Sequence, residues 1–503
     1  MSKTVAFYTL GCKVNQYETN AMEQQFIKNN YEIVENTQKA DIYVINTCTV
    51  TNMAERKSRQ MLRRVKEINP IAVLVVCGCY AQVAKNELEQ IPEIDIILGI
   101  NEKNEIVQIV EKYIKEMAEQ EKRNQEAEID DVSKQKEFLD FGDVTYTEKN
   151  RAVVKVQDGC NMFCSYCIIP YARGRIRSRK IESVVSEIEK IVKENIKEVV
   201  ITGIHVASYG KDFDNENTSK KIRLIDLLEA INKIDGIDRI RLSSLEPTIV
   251  DEEFATRISK LDKICDHFHL SLQSGCDETL KRMNRKYTTQ IYRDAVAILR
   301  KYYPEASFTT DVIVGFPGET DEEFAKTYEF LKEIDFYRLH VFKYSPRRGT
   351  VAEKMPNQID GNKKEERSNK LIELSNNTEN RHNQNYIGKT VKVLFEEFEC
   401  GFFKGHTTNY MMVKVAGSEE QSDKFVNKIL NVKIEENIDE TRELIGSKRI
   451  KKNISFLENN YNFDLSQTSF TIDNLILNDK IINENFKRKF EKRKLYEGYR
   501  NKK

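Results

Sequence analysis

The sequence predicts an α/β protein in three parts: a parallel sheet covered by helices, a partial or complete (β/α) barrel, and a small antiparallel β-barrel. Short β-rich runs alternate with helical patterns over residues 1–115 and again over 144–382, which favours parallel sheets. Closely spaced short strands then fill residues 383–446, which is typical of a small barrel. A chain of 503 residues is also long enough for several cores.

Composition narrows the class of protein. The 80 basic and 80 acidic residues balance, so any surface that binds nucleic acid must be local. The longest apolar stretch is too short to span a bilayer, and the first residues lack the pattern of a signal peptide. We therefore expect a cytoplasmic protein with no membrane partner. In that compartment the ten cysteines indicate metal or thiol chemistry rather than a disulfide framework.

Three cysteines follow the first three predicted strands. Cys12, Cys48 and Cys79 come after VAFYTL, IYVINT and AVLVVCG. The carboxyl ends of parallel strands meet at the edge of a sheet where ligands bind. The residues alone leave two interpretations open, a metal cluster or three buried structural thiols. Cys77 is interpreted as a core residue, with a substitute ligand as the alternative. The scattered cysteines interpreted as structural are Cys265, Cys276 and Cys400.

Two segments stand apart from this alternating pattern. Residues 116–143 are dense in charge and poor in large apolar side chains, and we predict a solvated helix or linker. Residues 447–503 form a basic extension, with 14 basic against 7 acidic side chains from Lys448 onward and aromatic residues among them. That composition suits phosphate contacts and base stacking on RNA, or else a solvated tail.

The central part contains six predicted strands with helical patterns between them. The strands are AVVKVQ, EVVITG, RIRLSS, FHLSLQ, TTDVIVGF and RLHVFKYS. Such an order predicts a (β/α) barrel whose chemistry lies at the carboxyl ends of its strands. Directly after the first of these strands come Cys160, Cys164 and Cys167, spaced C-x3-C-x2-C.

Thiolates at this spacing are soft ligands for zinc or for an iron–sulfur cluster. A structural zinc site needs a fourth ligand close by, and the first cysteine or histidine after Cys167 is His205, 38 residues further on. A zinc knuckle or a set of buried thiols remains the alternative. Three thiolates on a four-iron cluster leave one iron without a protein ligand, and an open position is typical of a reactive metal site.

The sequence motifs around these cysteines resemble those of a known enzyme family. DGCNMFCSYCIIPYARGRIRSR resembles the signature of radical S-adenosylmethionine (SAM) enzymes, and TLGCKVNQYET, INTCTV and CGCYAQ resemble their methylthiotransferase branch. The resemblance covers residues 1 to about 446 and implies a Rossmann-like N-terminal domain, a partial TIM-like radical SAM barrel and a TRAM-like RNA-binding barrel. It also implies two 4Fe–4S clusters, one held by Cys12, Cys48 and Cys79 and the other by Cys160, Cys164 and Cys167.

The resemblance implies SAM as the second cofactor. In these enzymes the amino acid end of SAM chelates the open iron, and an electron from the cluster splits SAM into methionine and a 5′-deoxyadenosyl radical. A glycine permits close backbone approach to SAM, polar side chains can hydrogen-bond to it, and an arginine can pair with a carboxylate or phosphate. The expected contacts are Gly203, Ser243, Glu246, Gln273, Arg173 and Arg285. For the polar residues, a hydrogen-bonded network at the barrel mouth is the alternative.

The same wording resembles the members that act on N6-threonylcarbamoyladenosine at position 37 of the tRNA anticodon loop, and it implies a 2-methylthio product. The alternatives are isopentenyladenosine in tRNA, an aspartate of ribosomal protein S12, and a non-catalytic RNA-binding redox sensor. The implied partners are tRNA, an electron donor such as flavodoxin or ferredoxin, and a sulfur source. No side chain in the sequence stands out as a catalytic acid or base.

Overall fold

The computed structural model describes residues 3–49, 52–120, 124–145, 150–215, 221–438 and 443–447. The predicted basic extension from residue 448 onward lies outside the described residues. The helices are α1 (Lys13–Lys28), α2 (Asn52–Ile68), α3 (Cys79–Val83), α4 (Lys85–Leu88), α5 (Ile106–Gln120), α6 (Ile169–Arg173), α7 (Ile181–Lys193), α8 (Leu224–Asn232), α9 (Glu252–Ile258), α10 (Asp277–Arg282), α11 (Thr289–Tyr302), α12 (Asp321–Ile334), α13 (Gly361–Gln384) and α14 (Ser422–Phe425). None of the helices in this described part combines the length and the hydropathy of a membrane span.

The strands belong to four sheets. They are β1 (Thr4–Thr9), β2 (Glu32–Ile33), β3 (Ile42–Thr47), β4 (Val73–Gly78), β5 (Ile96–Leu98), β6 (Glu126–Glu128), β7 (Arg151–Asp158), β8 (Arg177–Ser178), β9 (Glu198–Gly203), β10 (Arg239–Leu242), β11 (His267–His269), β12 (Ser307–Val314), β13 (Arg338–Lys343), β14 (Thr390–Glu399), β15 (Phe402–His406), β16 (Met412–Ala416), β17 (Ile429–Ile438) and β18 (Glu443–Ser447).

The N-terminal sheet is wholly parallel, in the order β2-β1-β3-β4-β5-β6. Every residue of β3 and β4 is buried, because helices cover both faces of the sheet. The segment 116–143, predicted as a solvated helix or linker, also supplies β6, which pairs with β5. Sequence patterning missed this strand because Glu-Ala-Glu has no apolar alternation. Its backbone pairing with β5 adds it to the sheet, and Ala127 packs against the apolar core.

The six strands predicted for the central part are all present. β10, β9 and β7 form one parallel ladder, and β11, β12 and β13 form another. Isolated pairs between Ile240 and Ile264 and between Leu245 and Leu270 join β10 to β11. Among the described strands no ladder connects β13 to β7 or β8, so the barrel is partial. Its strands share one continuous apolar core with the surrounding helices.

The C-terminal barrel is closed, in the order β14-β15-β16-β18-β17. It departs from the predicted antiparallel pattern at one place, because β16 and β18 are parallel. A closed ring with an odd number of strands cannot alternate direction everywhere, so one neighbouring pair must be parallel. Its interior is apolar, with Val393, Phe395, Phe403, Val413 and Val432 fully buried.

The loop between β15 and β16 packs against the amino ends of the central barrel strands. Arg239, the first residue of β10, donates hydrogen bonds to the carbonyls of Lys392 and His406 at 3.0 and 2.9 Å. Arg241 donates to the carbonyls of Thr407 and Thr408 at 3.1 and 2.9 Å. Two strand residues of the central barrel thus satisfy backbone carbonyls of the C-terminal barrel.

Tyr410 is the tip of this base loop, which comprises residues 407–411. Its backbone has a φ of +70°, in the left-handed region that few non-glycine residues adopt. Its ring stacks on His267 and on His406 at centroid distances of 4.8 and 4.7 Å, and the guanidinium of Arg241 lies 4.8 Å from its centre. The base loop therefore closes the end of the central barrel that lies opposite the cysteine loops.

Candidate functional site

A cavity of about 830 Å³ occupies the interior of the central barrel. Cys12 of the N-terminal sheet, Cys167 of the C-x3-C-x2-C loop and Tyr410 of the base loop all line it. The two predicted cluster loops therefore open onto one space. A cavity of this size can accommodate a small ligand together with a nucleobase.

The three N-terminal cysteines lie at one edge of the sheet. β1, β3 and β4 are neighbouring parallel strands, and Cys12, Cys48 and Cys79 follow their carboxyl ends. Gly11 has a φ of +107°, and a Cβ at that position would lie 2.8 Å from the Sγ of Cys48. The glycine therefore allows the two loops to approach closely. Cys12 is exposed whereas Cys48 and Cys79 are buried, and burial raises the pKa of Cys79.

The C-x3-C-x2-C loop follows β7. Burial raises the pKa of Cys160 to about 11 and that of Cys167 to about 12. Such thiols ionise only when a metal or a cation stabilises the thiolate. Among the described residues no three Cys, His, Asp or Glu side chains converge on a single-ion site. A four-iron cluster takes each thiolate on a different iron, and it does not need that convergence.

Each group of cysteines contains one that accepts a hydrogen bond from a buried arginine. The Nε of Arg173 donates to the Sγ of Cys79 at 3.2 Å, and the Nη1 of Arg285 donates to the Sγ of Cys164 at 3.1 Å. Hydrogen bonds to cluster sulfurs adjust the reduction potential and hold the ligands in place. These two contacts fit thiolate ligands of iron–sulfur clusters.

The structure directs Arg173 away from the predicted role of binding SAM. Its two terminal nitrogens donate to Glu18 at 2.8 and 3.0 Å, to Asp158 at 3.2 Å and to Asn15 at 2.7 Å. The guanidinium is fully buried and has no donor left for a cofactor carboxylate. Burial alone would raise the pKa of Glu18, but Arg173, Lys103 and Lys155 hold it well below its ordinary value.

Arg285 and Glu246, two further predicted SAM contacts, lie against each other. The Nη2 of Arg285 lies 2.9 Å from the Oε1 of Glu246, and its Nε donates to the hydroxyl of Tyr287 at 3.0 Å. The other oxygen of Glu246 lies 3.1 Å from the Nε2 of His205. Neither Arg285 nor Glu246 is among the residues that line the cavity. They form the hydrogen-bonded network that the sequence left open as the alternative.

The other three predicted SAM contacts, Gly203, Ser243 and Gln273, line the cavity. The Oγ of Ser243 is buried and has no hydrogen-bond partner among the described residues, so it fits a ligand group in the cavity. A Cβ on Gly203 would lie 2.9 Å from the Cβ and the carbonyl oxygen of Gln157, so packing against β7 also requires this glycine. Gln273 has a φ of +68°, and its backbone N–H donates to the carbonyl oxygen of Asp311 at 2.8 Å.

Two cavity residues were missed by the sequence reasoning. Tyr344 and Arg347 follow β13, line the cavity and are buried. Within the described residues, the Tyr344 hydroxyl and the Nε and Nη2 of Arg347 have no hydrogen-bond partner. Their place after the last barrel strand was a usable signal, because functional side chains gather at the carboxyl ends of barrel strands.

Cys77 and the scattered cysteines lie outside this site. Cys77 is fully buried in the apolar core of the N-terminal sheet, and burial raises its pKa to about 11, which agrees with its interpretation as a core residue. Cys265 and Cys276 are buried, and Cys400 is exposed in the C-terminal barrel.

Comparison with known proteins agrees with this arrangement. Residues 4–99 match the model of the uncharacterized protein family UPF0004, and residues 154–331 match that of the radical SAM superfamily. The threonylcarbamoyladenosine tRNA methylthiotransferase MtaB of Bacillus subtilis (strain 168) is 41% identical over 436 residues, which cover 86% of this chain and 93% of the relative. The chain belongs to the radical SAM methylthiotransferase family. As a radical SAM methylthiotransferase, it uses a 4Fe–4S cluster and SAM.

A second relative carries a different substrate in its name. The tRNA-2-methylthio-N(6)-dimethylallyladenosine synthase of Thermoanaerobacter pseudethanolicus (strain ATCC 33223 / 39E) is 35% identical over 438 residues, which cover 85% of this chain and 89% of the relative. Among solved structures, the radical SAM methyltransferase TsrM from Kitasatospora setae, with tryptophan and a SAM analogue bound, has a TM-score of 0.49 at 14% identity. That match covers 68% of this chain and 73% of TsrM.

Proposed function

We propose that this methylthiotransferase converts N6-threonylcarbamoyladenosine at position 37 of the tRNA anticodon loop to its 2-methylthio derivative. The observation that carries the proposal is the shared cavity, because Cys12 and Cys167 both line it. A base in that cavity reaches both cysteine loops at once. The relative with 41% identity is named for the same conversion.

The proposal includes two 4Fe–4S clusters. Cys160, Cys164 and Cys167 would hold the one that binds SAM, and Cys12, Cys48 and Cys79 would hold the second. When bound, the clusters and SAM supply the radical chemistry and the methylthio group.

The chain's own residues orient these groups and exclude water. Ser243 offers a hydrogen bond to SAM, and Gly203 and Gln273 lie beside it on the cavity wall. Arg173 and Arg285 fix one cysteine in each group. The base loop with Tyr410 closes the far end of the barrel.

The remaining partners follow from this reaction. The target base has to leave its stack to enter the cavity, and a single-stranded anticodon loop keeps that cost low. The C-terminal barrel is proposed to bind RNA, in keeping with its TRAM-like appearance. An electron donor such as flavodoxin or ferredoxin, a sulfur source and a cytoplasmic location complete the proposal.

The test is a direct comparison of substrates. Reconstituted enzyme with SAM and a reductant is offered a tRNA carrying threonylcarbamoyladenosine, a tRNA carrying isopentenyladenosine, and ribosomal protein S12. Mass spectrometry is expected to find the methylthio product only on the first. If the product forms on isopentenyladenosine alone, the chain has instead the function for which the 35% identical relative is named. RNA binding without SAM cleavage would indicate the non-catalytic sensor.

A further inference from the structure

Arg347 presents an unused hydrogen-bonding edge to the cavity. Its Nη1 donates to the Oε1 of Glu55 at 2.7 Å, whereas its Nε and Nη2 have no partner among the described residues. The side chain is only 5% exposed. Nε and Nη2 form the edge of a guanidinium that binds both oxygens of a carboxylate or phosphate. A buried arginine with this edge free is costly unless a ligand fills it.

The position of Arg347 is fixed beside the second cysteine loop. Glu55 of α2 accepts hydrogen bonds both from Arg347 and from the hydroxyl of Thr49, which follows Cys48. Burial lowers the pKa of Arg347, while the neighbouring Glu55 and Cys48 oppose that shift. Arg347 therefore lines the cavity on the side of the second cysteine loop.

The charge of the cavity wall favours an anionic ligand. Its lining contains five basic residues and one acidic residue, Asp311. Three of the five pair with carboxylates: Arg241 with Glu198, Arg338 with Glu379, and Lys343 with Glu365. Lys13, next to Cys12, also lines the cavity, and within the part of the chain that the structure describes it forms no ion pair with a carboxylate, although Glu198 lies near enough to raise its pKa. Arg347 with its free edge and Lys13 are thus available to a ligand.

We propose that the free edge of Arg347 binds the carboxylate of the threonylcarbamoyl group and thereby selects this substrate over neutral N6 substituents. The inference rests on the proposed function. SAM also has a carboxylate, but the resemblance places it at the C-x3-C-x2-C loop rather than beside Cys48. The buried position of Arg347 on the cavity wall suits the nucleotide that enters the cavity rather than the phosphates of the RNA chain outside it.

The experiment compares two synthetic anticodon stem-loops that differ only in this group. One carries the threonylcarbamoyl carboxylate and the other carries the corresponding neutral carboxamide. Their dissociation constants are measured anaerobically on the reconstituted enzyme by fluorescence anisotropy. We expect the unmodified enzyme to prefer the carboxylate by about tenfold or more, as a charge-assisted bidentate contact provides.

The variants R347Q and R347K isolate the contact. R347Q is expected to remove the preference by weakening only the carboxylate stem-loop, and R347K to retain part of it because lysine keeps the charge without the fork. Arg348 is the matched control, since it is adjacent and exposed, and R348Q is expected to retain the full preference. Melting temperature and iron content establish that each variant is folded and loaded.

Four results would overturn the inference. They are no preference in the unmodified enzyme, a full preference in R347Q, equal weakening of both stem-loops, which would indicate a phosphate contact, and a raised dissociation constant for SAM, which would indicate its carboxylate. The proposed function fails separately, if the unmodified enzyme forms its methylthio product only on isopentenyladenosine.

Discussion

Arg173 and Cys79 are joined by a hydrogen bond of 3.2 Å from Nε to Sγ. The same guanidinium binds Asp158, which lies two residues before Cys160. One buried side chain thus connects the two cysteine loops, although they belong to different parts of the fold. Glu18 of α1 completes the connection by accepting hydrogen bonds from Arg173 as well.

Replacing Arg173 is expected to change the second cluster more than the first. In R173K the hydrogen bond to Cys79 is lost while the positive charge beside Glu18 is kept. Because such hydrogen bonds raise cluster potentials, the midpoint of the second cluster should fall by roughly tens of millivolts in an EPR-monitored redox titration. R173Q should also destabilise the fold by about 3–5 kcal/mol, since it breaks a buried ion pair.

The control for this variant is R175K, because Arg175 lies two residues away and is exposed. It should leave both midpoints unchanged. Equal shifts of both clusters in R173K, or no shift at all, would contradict the assignment of Arg173 to Cys79.

The two cysteine groups should separate in function. Changing Cys160, Cys164 or Cys167 to alanine should abolish production of 5′-deoxyadenosine, because SAM loses its cluster. Changing Cys12, Cys48 or Cys79 should preserve SAM cleavage but stop methylthio formation, with about four irons fewer per chain. The matched control is C400S, at an exposed cysteine. Normal product from a C12A enzyme would remove the second cluster from the mechanism.

Ser243 should contribute to SAM affinity. Its hydroxyl is buried at the cavity with no protein partner among the described residues, so S243A deletes one hydrogen bond to the ligand. We expect the dissociation constant for SAM to rise by about tenfold, measured by equilibrium dialysis under anaerobic conditions. S259A, at an exposed serine, is the control. An unchanged constant would place Ser243 outside the SAM site.

Tyr410 should stabilise the junction at the base of the barrel. Y410A removes two stacked contacts and two cation–π contacts, and we expect a loss of about 2 kcal/mol in the free energy of unfolding. Y410F keeps the ring and should stay close to the unmodified protein in a calorimetric melt. If Y410F loses as much stability as Y410A, the hydroxyl rather than the stacking is responsible.

Sequence patterns predicted the features that depend on the order of neighbouring residues along the chain. The cysteine edge followed from strands that each end just before a cysteine, and the six barrel strands followed from their alternation with helices. The roles of Arg173 and Arg285 could not be predicted in this way. The cysteines that they contact lie 94 and 121 residues away along the chain. The residue type indicated that each arginine pairs with an anion, but sequence patterns could not identify that partner. Arg347 was missed for the same reason. Only the folded structure shows that two of its nitrogens have no hydrogen-bond partner among the described residues.

The base loop has a consequence for protein engineering. Because Arg239 and Arg241 of the central barrel satisfy carbonyls of residues 392 and 406–408, a cut near residue 385 removes these carbonyl acceptors from two buried arginines and leaves them only Glu198. A truncated protein would report on this damaged junction rather than on loss of RNA affinity. Chimaeras that exchange the C-terminal barrel between relatives therefore need to transfer the matching strand-end arginines with it.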